Sequence, residues 1–181
     1  LDNGALHIRI DFSKPDTAAR LETLFIPPGI NAWKVQEKEL RNVAHDIKLT
    51  YSTWFKSIQY VRIRGRIRKP SLYNFRFSVG PINAILNWEV RRECHIRNGL
   101  GRCDVVRYAP LIPGRYHDIC FIKKDRVGKL EIDGKKIYST TVETLGTITF
   151  YGYLLGIREL EIIGVPDRSK TLRDGAIAPW H

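Results

Sequence analysis

The sequence has no hydrophobic run that approaches the roughly 20 residues required by a membrane-spanning helix. Its three cysteines are too few for a small domain held together by disulfides, and they lack the spacing of a zinc site. Of the 181 residues, 43% are hydrophobic, which is enough to build a sizeable core. These features favour a globular domain over a membrane-spanning, disordered or fibrous chain.

The sequence also lacks the motifs of common catalytic sites. It has no nucleophile elbow, no phosphate-binding loop and no cluster of acidic metal ligands. His117 and Asp118 are adjacent, but neighbours in a strand point to opposite faces, so they are not expected to form a catalytic pair. The five histidines show no metal-ligand spacing: His7, His45, His95, His117 and His181. We therefore expect no enzymatic activity, no metal and no cofactor.

Two of the cysteines suggest a disulfide. Cys94 and Cys103 flank a turn signal in the segment CHIRNGLGRC and are candidates to face each other across a hairpin, which leaves Cys120 single. Three buried free thiols fit the sequence equally well, so the redox compartment stays open. We expect an extracellular or secreted protein, with a cytoplasmic location as the alternative.

Negative charge is scarce. The chain has 30 Lys and Arg residues against 19 Asp and Glu residues, a formal net charge of +11. Such a balance favours nucleic acid, anionic lipid, or sulfated and sialylated glycans as partners. An RNA-binding sheet requires exposed aromatic residues among its basic ones, and the segment FRFSV supplies only Phe75 and Phe77. Nucleic acid therefore ranks as the third candidate.

From residue 51 onward, short runs of alternating residues are separated by Gly, Pro, Asn or Asp. This pattern predicts an all-β antiparallel sandwich or barrel. The segment IDGK, residues 132–135, predicts a hairpin turn because glycine accepts the positive φ that such a turn requires. The predicted strands span 60–68, 73–79, 84–91, 94–97, 104–108, 117–123, 129–133, 136–141, 146–151 and 157–162.

The ends of the chain are interpreted as additions to this sandwich. Residues 1–50 are predicted to form an extension packed on it, with one strand in ALHIRIDF and a short helix in VQEKELRNVAH. The domain proper is predicted to span residues 51–164. Residues 165–181 are predicted to form a tail along the surface.

The segment YVRIRGRIRK places arginine at every second position. In a strand, this spacing puts the guanidinium groups on one face, while Val61, Ile63 and Ile67 face the core. Acids on another strand, such as Glu159 or Glu161, are expected to neutralise at least two of the arginines, and the others are candidates for an anion-binding surface. This arginine ladder comprises Arg62, Arg64, Arg66 and Arg68.

Taken in order, the runs YVRIRGRI, YNFRFSV, NAILNWEVR, HIRNG, GRYHDICFI, GKLEIDGKKIY and GTITFYGYLLGIREL resemble a galectin carbohydrate-recognition domain. The resemblance covers roughly residues 51–164. It implies a jelly-roll sandwich in which one sheet holds a short oligosaccharide. Laminin G modules share this general architecture, and KLEIDGKKI resembles their strand-and-hairpin pattern, so they rank second.

The resemblance also implies a set of sugar-contacting residues. The Asn and the last Arg of the galectin pattern match Asn98 and Arg107, while Arg102 stands where a galectin has the Trp that stacks on galactose. The strand that holds the galectin His lacks it here. We expect Trp88 to supply an apolar platform for a sugar ring and Asn87 to supply polar contacts.

The predicted function is therefore that of a lectin-like domain without enzymatic activity. Because arginine is well shaped for contact with carboxylate or sulfate, a basic groove of this kind favours an anionic glycan over an ordinary β-galactoside. The alternative is a protein-interaction or adhesion module of the galectin or laminin G type that has lost sugar binding.

Overall fold

In the computed structural model, the structure describes residues 4–26, 29–44, 47–69, 75–87, 93–98, 103–107, 110–143, 146–152 and 154–171. Within these ranges the chain is an all-β jelly-roll sandwich of two antiparallel sheets. Short helical segments lie near the start of the chain: α1 (Pro15–Ala19), α2 (Leu21–Leu24) and a 3-10 turn (Gly29–Ala32). None of the described helices is long and apolar enough to cross a membrane.

The first sheet, sheet A, contains eight of the described strands. They are β1 (Leu6–Asp11), β3 (Trp33–Gln36), β4 (Glu39–Asn42), β6 (Thr53–Ile67), β11 (His117–Lys124), β12 (Val127–Ile132), β13 (Lys135–Thr141) and β15 (Leu155–Thr171). Their order is β13-β12-β11-β6-β15-β4-β3, and β1 also pairs with β15.

The second sheet, sheet B, contains seven described strands. They are β2 (Phe25–Ile26), β5 (Leu49–Tyr51), β7 (Phe75–Val79), β8 (Ile82–Leu86), β9 (Cys94–Arg97), β10 (Cys103–Val106) and β14 (Ile148–Gly152). Their order is β10-β9-β8-β7-β14-β5-β2, so β10 and β2 are the edge strands.

The core lies between the two sheets and is built by strand alternation. In β6, Val61, Ile63 and Ile67 are almost fully buried, and in β7, Phe75 and Phe77 face them from the other sheet. Burying a side chain of this size contributes roughly 1.5–3 kcal/mol relative to leaving it exposed. The two inner faces therefore specify the sandwich, and the outer faces are available for polar residues.

The predicted fold class is confirmed, and so is the turn at residues 132–135. Asp133 and Gly134 both have positive φ, 50° and 77°, between β12 and β13. The predicted helix in VQEKELRNVAH is wrong, because β3 and β4 form a hairpin there. Glu37 and Lys38 supply the positive φ values of its turn without a glycine.

Strands from both ends of the chain belong to the sheets themselves. Among the first 50 residues, β1, β3 and β4 lie in sheet A, while β2 and the start of β5 lie in sheet B. At the other end β15 continues to Thr171, and residues 172–181 lie outside the described ranges. The described segments at both ends therefore extend the two sheets.

Candidate functional site

The outer face of sheet B is built by the side chains that alternate with the core residues. In β8, Ile82, Ala84 and Leu86 point into the sandwich, so Asn83 and Ile85 point outward. The same alternation turns five more side chains of β7, β9 and β10 to this face: Arg76, Ser78, His95, Arg97 and Val105.

The register between strands arranges these side chains in two parallel rows. The first row crosses the sheet from β14 to β10: Tyr151, Arg76, Ile85, His95 and Val105. The second row runs beside it: Thr149, Ser78, Asn83, Arg97 and Cys103. Residues directly opposite each other on antiparallel strands are within side-chain reach, so each row is a continuous strip of surface.

Tyr151 anchors one end of this face. Its hydroxyl donates a hydrogen bond to Oδ1 of Asn83 on β8. Lys48 and Arg76 place their charged groups 5.9 and 5.8 Å from the centre of its ring. The phenol therefore presents an apolar ring beside two cations and a side-chain amide.

Arginines at the other end of the face are open to solvent. Arg97 is exposed at the end of β9, and Arg107 is exposed directly after β10. Across the described ranges neither guanidinium has an ion-pair partner. Val105, which is 47% exposed, lies on the strand between Cys103 and Arg107 and adds apolar surface. This end combines unneutralised positive charge with an apolar strip.

Glu93, His95 and Cys103 form a cluster on the same face. Nε2 of His95 lies 2.7 Å from Oε1 of Glu93. Nδ1 of the same ring lies 4.0 Å from Sγ of Cys103. Glu93 is buried, whereas Cys103 is exposed on the edge strand. An imidazole thus stands between a buried carboxylate and a solvent-exposed thiol.

The sequence-predicted contact residues are only partly brought together. Trp88 and Arg102 lie outside the described residues. Asn87 has a positive φ of 54°, and its amide bonds both backbone groups of Leu111: Nδ2 donates to the carbonyl, and Oδ1 accepts from the N–H at 3.0 Å. Asn87 therefore fastens the loop before β11 to the end of β8.

Asn98 and Arg107 are not placed side by side by strand alternation. Asn98 directly follows β9 and continues the alternation of Cys94 and Ile96, which face the core. Arg107 continues the alternation of Cys103 and Val105 on the outside. In this part of the sheet, Arg97 therefore takes the outward position that the resemblance assigned to Asn98.

The predicted bridge between Cys94 and Cys103 is not formed. Both cysteines are free, and they sit at opposite ends of the β9–β10 pair, where Cys94 lies opposite Val106 and Cys103 lies opposite Arg97. They also face opposite sides, since Cys94 is buried and Cys103 is exposed. Burial raises the pKa of the Cys94 thiol to about 11.

The arginine ladder lies on the outer face of sheet A, as predicted, with Val61, Ile63 and Ile67 turned inward. Acids on neighbouring strands neutralise much of it. Arg62 lies 2.9 Å from Asp118, 3.4 Å from Glu159 and 3.8 Å from Glu161. Arg64 lies 3.6 Å from Asp118.

The other two ladder arginines serve the fold. Arg66 donates two hydrogen bonds to the carboxylate of Glu39, which is fully buried. Arg68 donates to the backbone carbonyls of Leu155 and Asn42, and burial lowers its pKa from the ordinary value. Three of the four arginines thus contact an acid, and the fourth is bound to backbone.

Glu39 is the centre of a buried polar network in sheet A. Besides Arg66, its carboxylate accepts hydrogen bonds from Nε of Arg41 at 2.6 Å and from the hydroxyl of Tyr116 at 2.5 Å. Burial alone would raise the pKa of Glu39, but the hydrogen bonds from Arg66, Tyr116 and Arg41 outweigh it and hold the pKa below its ordinary value. The carboxylate is therefore charged in the folded protein at neutral pH.

A groove of about 940 Å³ lies along β1, α1 and α2, away from the outer face of sheet B. Five of its charged lining groups are paired with each other: His7, Arg9, Arg62, Glu159 and Glu161. Glu161, for example, contacts His7 at 2.5 Å and Arg9 at 3.0 Å. Ligand binding here would have to break these pairs, so the groove is a weaker candidate than the outer face of sheet B.

His117 and Asp118 point to opposite sides, as predicted. His117 is buried, and its Nδ1 lies 2.7 Å from Asp133, while its Nε2 accepts a hydrogen bond from the N–H of Ile112. Asp118 faces the arginine ladder. In the part of the chain that the structure describes, no group of three or more His, Cys, Asp or Glu residues is arranged to hold a metal ion.

Solved structures share this fold. A Crh5 transglycosylase in complex with NAG superposes with a TM-score of 0.64 at 8% identity, over 87% of this chain and 84% of that chain. An endo-acting O-glycanase of the human gut microbiota that initiates mucin breakdown has a TM-score of 0.63 at 11% identity, over 88% and 99%. The Caenorhabditis elegans galectin LEC-6 has a TM-score of 0.51 at 9% identity, over 68% and 94%.

No family model matches the chain, and no curated protein matches it significantly. At these identities the structural likeness establishes the fold, which galectins and glycan-cleaving enzymes both use. The resemblance to galectins is therefore correct as a statement about architecture. It does not identify a ligand.

The expectation that the chain is not an enzyme is contradicted by the same comparison. Glycoside hydrolases and transglycosylases, including a β-1,3-1,4-glucanase with a TM-score of 0.59, stand beside galectins among the proteins of this fold. The missing nucleophile elbow and phosphate loop were uninformative, because glycoside cleavage generally uses a pair of carboxyl groups instead. Glu93 is one carboxylate at this face, and Glu89 lies outside the described residues.

Several residues of the outer face were missed by reasoning from sequence. Tyr151 and Arg76 are 75 positions apart and meet because β14 pairs with β7. His95 and Arg97 alternate with the buried Cys94 and Ile96, a signal that was present in CHIR. The alternation of residues is visible in the sequence. Identifying the side chains that face outward also requires knowing which set packs against sheet A.

Proposed function

We propose that this chain is a carbohydrate-binding protein and that the outer face of sheet B binds an anionic oligosaccharide. The observation that supports this most directly is the pair of exposed arginines, Arg97 and Arg107, which have no acidic partner among the described residues. Both belong to the β9–β10 end of a sheet whose fold relatives include glycan-binding and glycan-cleaving proteins.

The chemistry of the face suits a sulfated or carboxylated sugar. A guanidinium presents parallel N–H donors that match the oxygens of sulfate or carboxylate. The apolar groups of Ile85, Val105 and the Tyr151 ring offer surface for the faces of sugar rings, and Asn83 adds an amide. The face thus combines charge recognition with stacking surface.

The arginines of sheet A are less suited to this role. The ladder is paired with Asp118, Glu159, Glu161 and Glu39, so an anionic ligand would compete with carboxylates that are already in place. Surface charge pairs contribute little stability, but they lower the local positive potential. The two faces therefore differ in available charge, although both are rich in arginine.

The experiments that test glycan binding also test whether the bound glycan is cleaved. A glycosidase needs two carboxyl groups about 5–10 Å apart, one on each side of the bond. Glu93 stands at the β9 end of the face, and its carboxylate contacts His95. An extracellular location, where sulfated and sialylated glycans are displayed, is also part of the proposal.

The test is a glycan array that includes sulfated, sialylated and neutral oligosaccharides, probed at low and raised salt. We expect binding to anionic glycans that weakens with salt, and a larger loss for anionic than for neutral glycans in Arg107→Ala. Mass spectrometry of the bound glycans reports any shortened product. Binding restricted to neutral galactosides would contradict the anionic preference, and silence across the array would favour a protein-interaction module.

A further inference from the structure

Three side chains on the outer face of sheet B are aligned as carboxylate, imidazole and thiol. Glu93 and His95 lie two positions apart and therefore project to the same side of the sheet. Cys103 projects to that side from the edge strand β10. The distances are 2.7 Å from Glu93 Oε1 to His95 Nε2 and 4.0 Å from His95 Nδ1 to Cys103 Sγ.

The short contact to Glu93 determines what the imidazole can do. A buried carboxylate accepts a hydrogen bond from Nε2–H, which leaves the lone pair of Nδ1 directed toward the thiol. A thiol beside a base that is oriented by a third group is the arrangement of an activated nucleophile. The separation of sulfur and nitrogen is at the loose end of such contacts, as is common without a bound reactant.

The surroundings of this cluster favour the approach of an anionic reactant. Arg97 lies directly opposite Cys103 and projects to the same side. The residues opposite His95 are Ile85 on β8 and Val105 on β10, which are uncharged. Glu93 contacts the imidazole, and Arg97 projects to the same side two positions further along β9. Nearby positive charge attracts anionic reactants.

We propose that Cys103 is a reactive thiol that exchanges with disulfides of small anionic thiols, with His95 as its base and Glu93 as the positioning residue. The proposed exchange reaction does not depend on the proposed glycan binding, because its chemistry requires no sugar. It assigns a covalent modification site to the edge of the same face.

The exchange balances without a further reactant. His95 accepts the thiol proton, and the thiolate of Cys103 attacks one sulfur of the disulfide. A new sulfur–sulfur bond forms to Cys103 while the original one breaks, and the departing thiolate takes the proton from the imidazolium. Cys103 is oxidised to a mixed disulfide, and one half of the small disulfide is reduced to a thiol.

The product is expected to persist because the other cysteines cannot displace it. Cys94 faces the core at the far end of the β9–β10 pair, and its buried thiol has a pKa of about 11. Cys120 lies on sheet A, and burial raises its pKa as well. Within the described ranges, which include all three cysteines, Cys103 is the exposed one.

The test measures the rate at which glutathione disulfide, an anionic disulfide, modifies Cys103 of the reduced protein across pH. Intact-mass and peptide mass spectrometry identify the modified cysteine. Because a neighbouring base removes the thiol proton, the reaction at neutral pH should be faster than that of an ordinary exposed thiol. His95→Gln should lower the rate there by roughly tenfold or more. Glu93→Gln should lower the rate at neutral pH as well, and both losses should shrink at high pH, where a thiol ionises without a base.

Two control variants distinguish activation of the Cys103 thiol by His95 from simple exposure of that thiol to solvent. His7→Gln removes a histidine of β1 in sheet A, where the imidazole contacts Glu161. This variant should leave the rate at Cys103 unchanged. Arg97→Gln should reduce the preference for glutathione disulfide over the cationic disulfide cystamine. Circular dichroism verifies that each variant folds. If Glu93→Gln does not fold, His95→Gln and Arg97→Gln still test the proposal. Equal rates in wild type and His95→Gln, with the pH profile of an ordinary thiol, would overturn the proposal.

Discussion

Arg66 binds the buried carboxylate of Glu39 at two points, with Nε 3.0 Å from Oε2 and Nη2 2.9 Å from Oε1. One arginine of the ladder on the outer face of sheet A is thereby bound to a buried carboxylate. The contact joins β6 to β4 across β15, and Tyr116 adds a further hydrogen bond to the same carboxylate.

Removing this contact should destabilise the fold. Arg66→Ser leaves part of a buried charge uncompensated, and we expect a loss of about 3–5 kcal/mol in the free energy of unfolding. The matched control is Arg64→Ser on the same strand, because Arg64 is 40% exposed and its contact with Asp118 is longer; its loss should be at most about 1 kcal/mol. Urea unfolding measures both, and equal losses would refute the structural role of Arg66.

This finding changes how the arginine ladder can be tested. A variant that replaces both Arg64 and Arg66 is unsuitable as a test of ligand binding, because it would also remove one partner of the buried Glu39. Arg64→Ser alone is therefore the suitable probe of polyanion binding by sheet A. Its elution from a heparin column tests the anion-binding role first predicted for the ladder, and because Arg64 is paired with Asp118 we expect the elution to be nearly unchanged.

Stability should fall in acid, partly through Glu39. The ordinary pKa of this carboxyl group is 4.5, and its pKa in the folded protein is lower. Below about pH 4.5 the unfolded chain takes up the proton first, so acid favours unfolding, and the contribution of Glu39 is lost as the pH falls through its folded pKa. Asp11, Asp133 and Glu161 act in the same direction.

The pH effect can be assigned by comparison with Glu39→Gln. The variant should be less stable at neutral pH, and its free energy of unfolding should decrease less steeply between about pH 5 and pH 3 because one of the linked groups is gone. Urea unfolding at several pH values gives both slopes. Identical slopes would show that Glu39 is not among the groups whose protonation unfolds the protein.

Gly156 should tolerate no side chain while Glu39 is in place. A Cβ atom at this position would lie 2.4 Å from Oε2 of Glu39 and 2.6 Å from its carboxyl carbon. Gly156→Ala should therefore displace the carboxylate and cost about 1–3 kcal/mol. In a double-mutant cycle with Glu39→Ala, which removes the atoms that the methyl group would meet, the combined loss should be smaller than the sum of the single losses. Strict additivity would contradict the steric account.

The three thiols should differ in accessibility. Iodoacetamide should alkylate Cys103 first, Cys120 more slowly and Cys94 only after unfolding, because Cys94 is buried with a pKa of about 11. Non-reducing peptide mapping should recover all three as free thiols. A Cys94–Cys103 bridge in the native protein would contradict the arrangement of β9 and β10.

Alternation was sufficient to predict the sandwich, and its failures have physical causes. The prediction began β6 at Tyr60 rather than at Thr53, because irregular pairing with β15 near Gly164 and Val165 breaks the alternation of Phe55, Ile58 and Val61. The β3–β4 hairpin was taken for a helix because its turn uses Glu37 and Lys38, which give no turn signal in the sequence. Local patterns do not reveal such tertiary constraints.

The candidate site was harder to predict than the fold. Arg107 was identified through the galectin resemblance, but Arg97, His95 and Tyr151 depend on register between β7, β8, β9 and β14. Asn87 was expected to contact sugar, and its amide instead holds Leu111. Residue type indicated which side chains are polar, whereas the partner strands determined where they point.

The location of glycan binding is the central claim, and calorimetric titration with a heparin-derived oligosaccharide tests it most directly. The double variant Arg97→Ala/Arg107→Ala alters the outer face of sheet B, and Arg64→Ala alters sheet A. We expect the first to weaken binding by roughly tenfold or more, as the loss of charge-assisted contacts implies, and the second to change it by less than about twofold. Unchanged affinity in the folded double variant, with a large loss in Arg64→Ala, would contradict the proposed site.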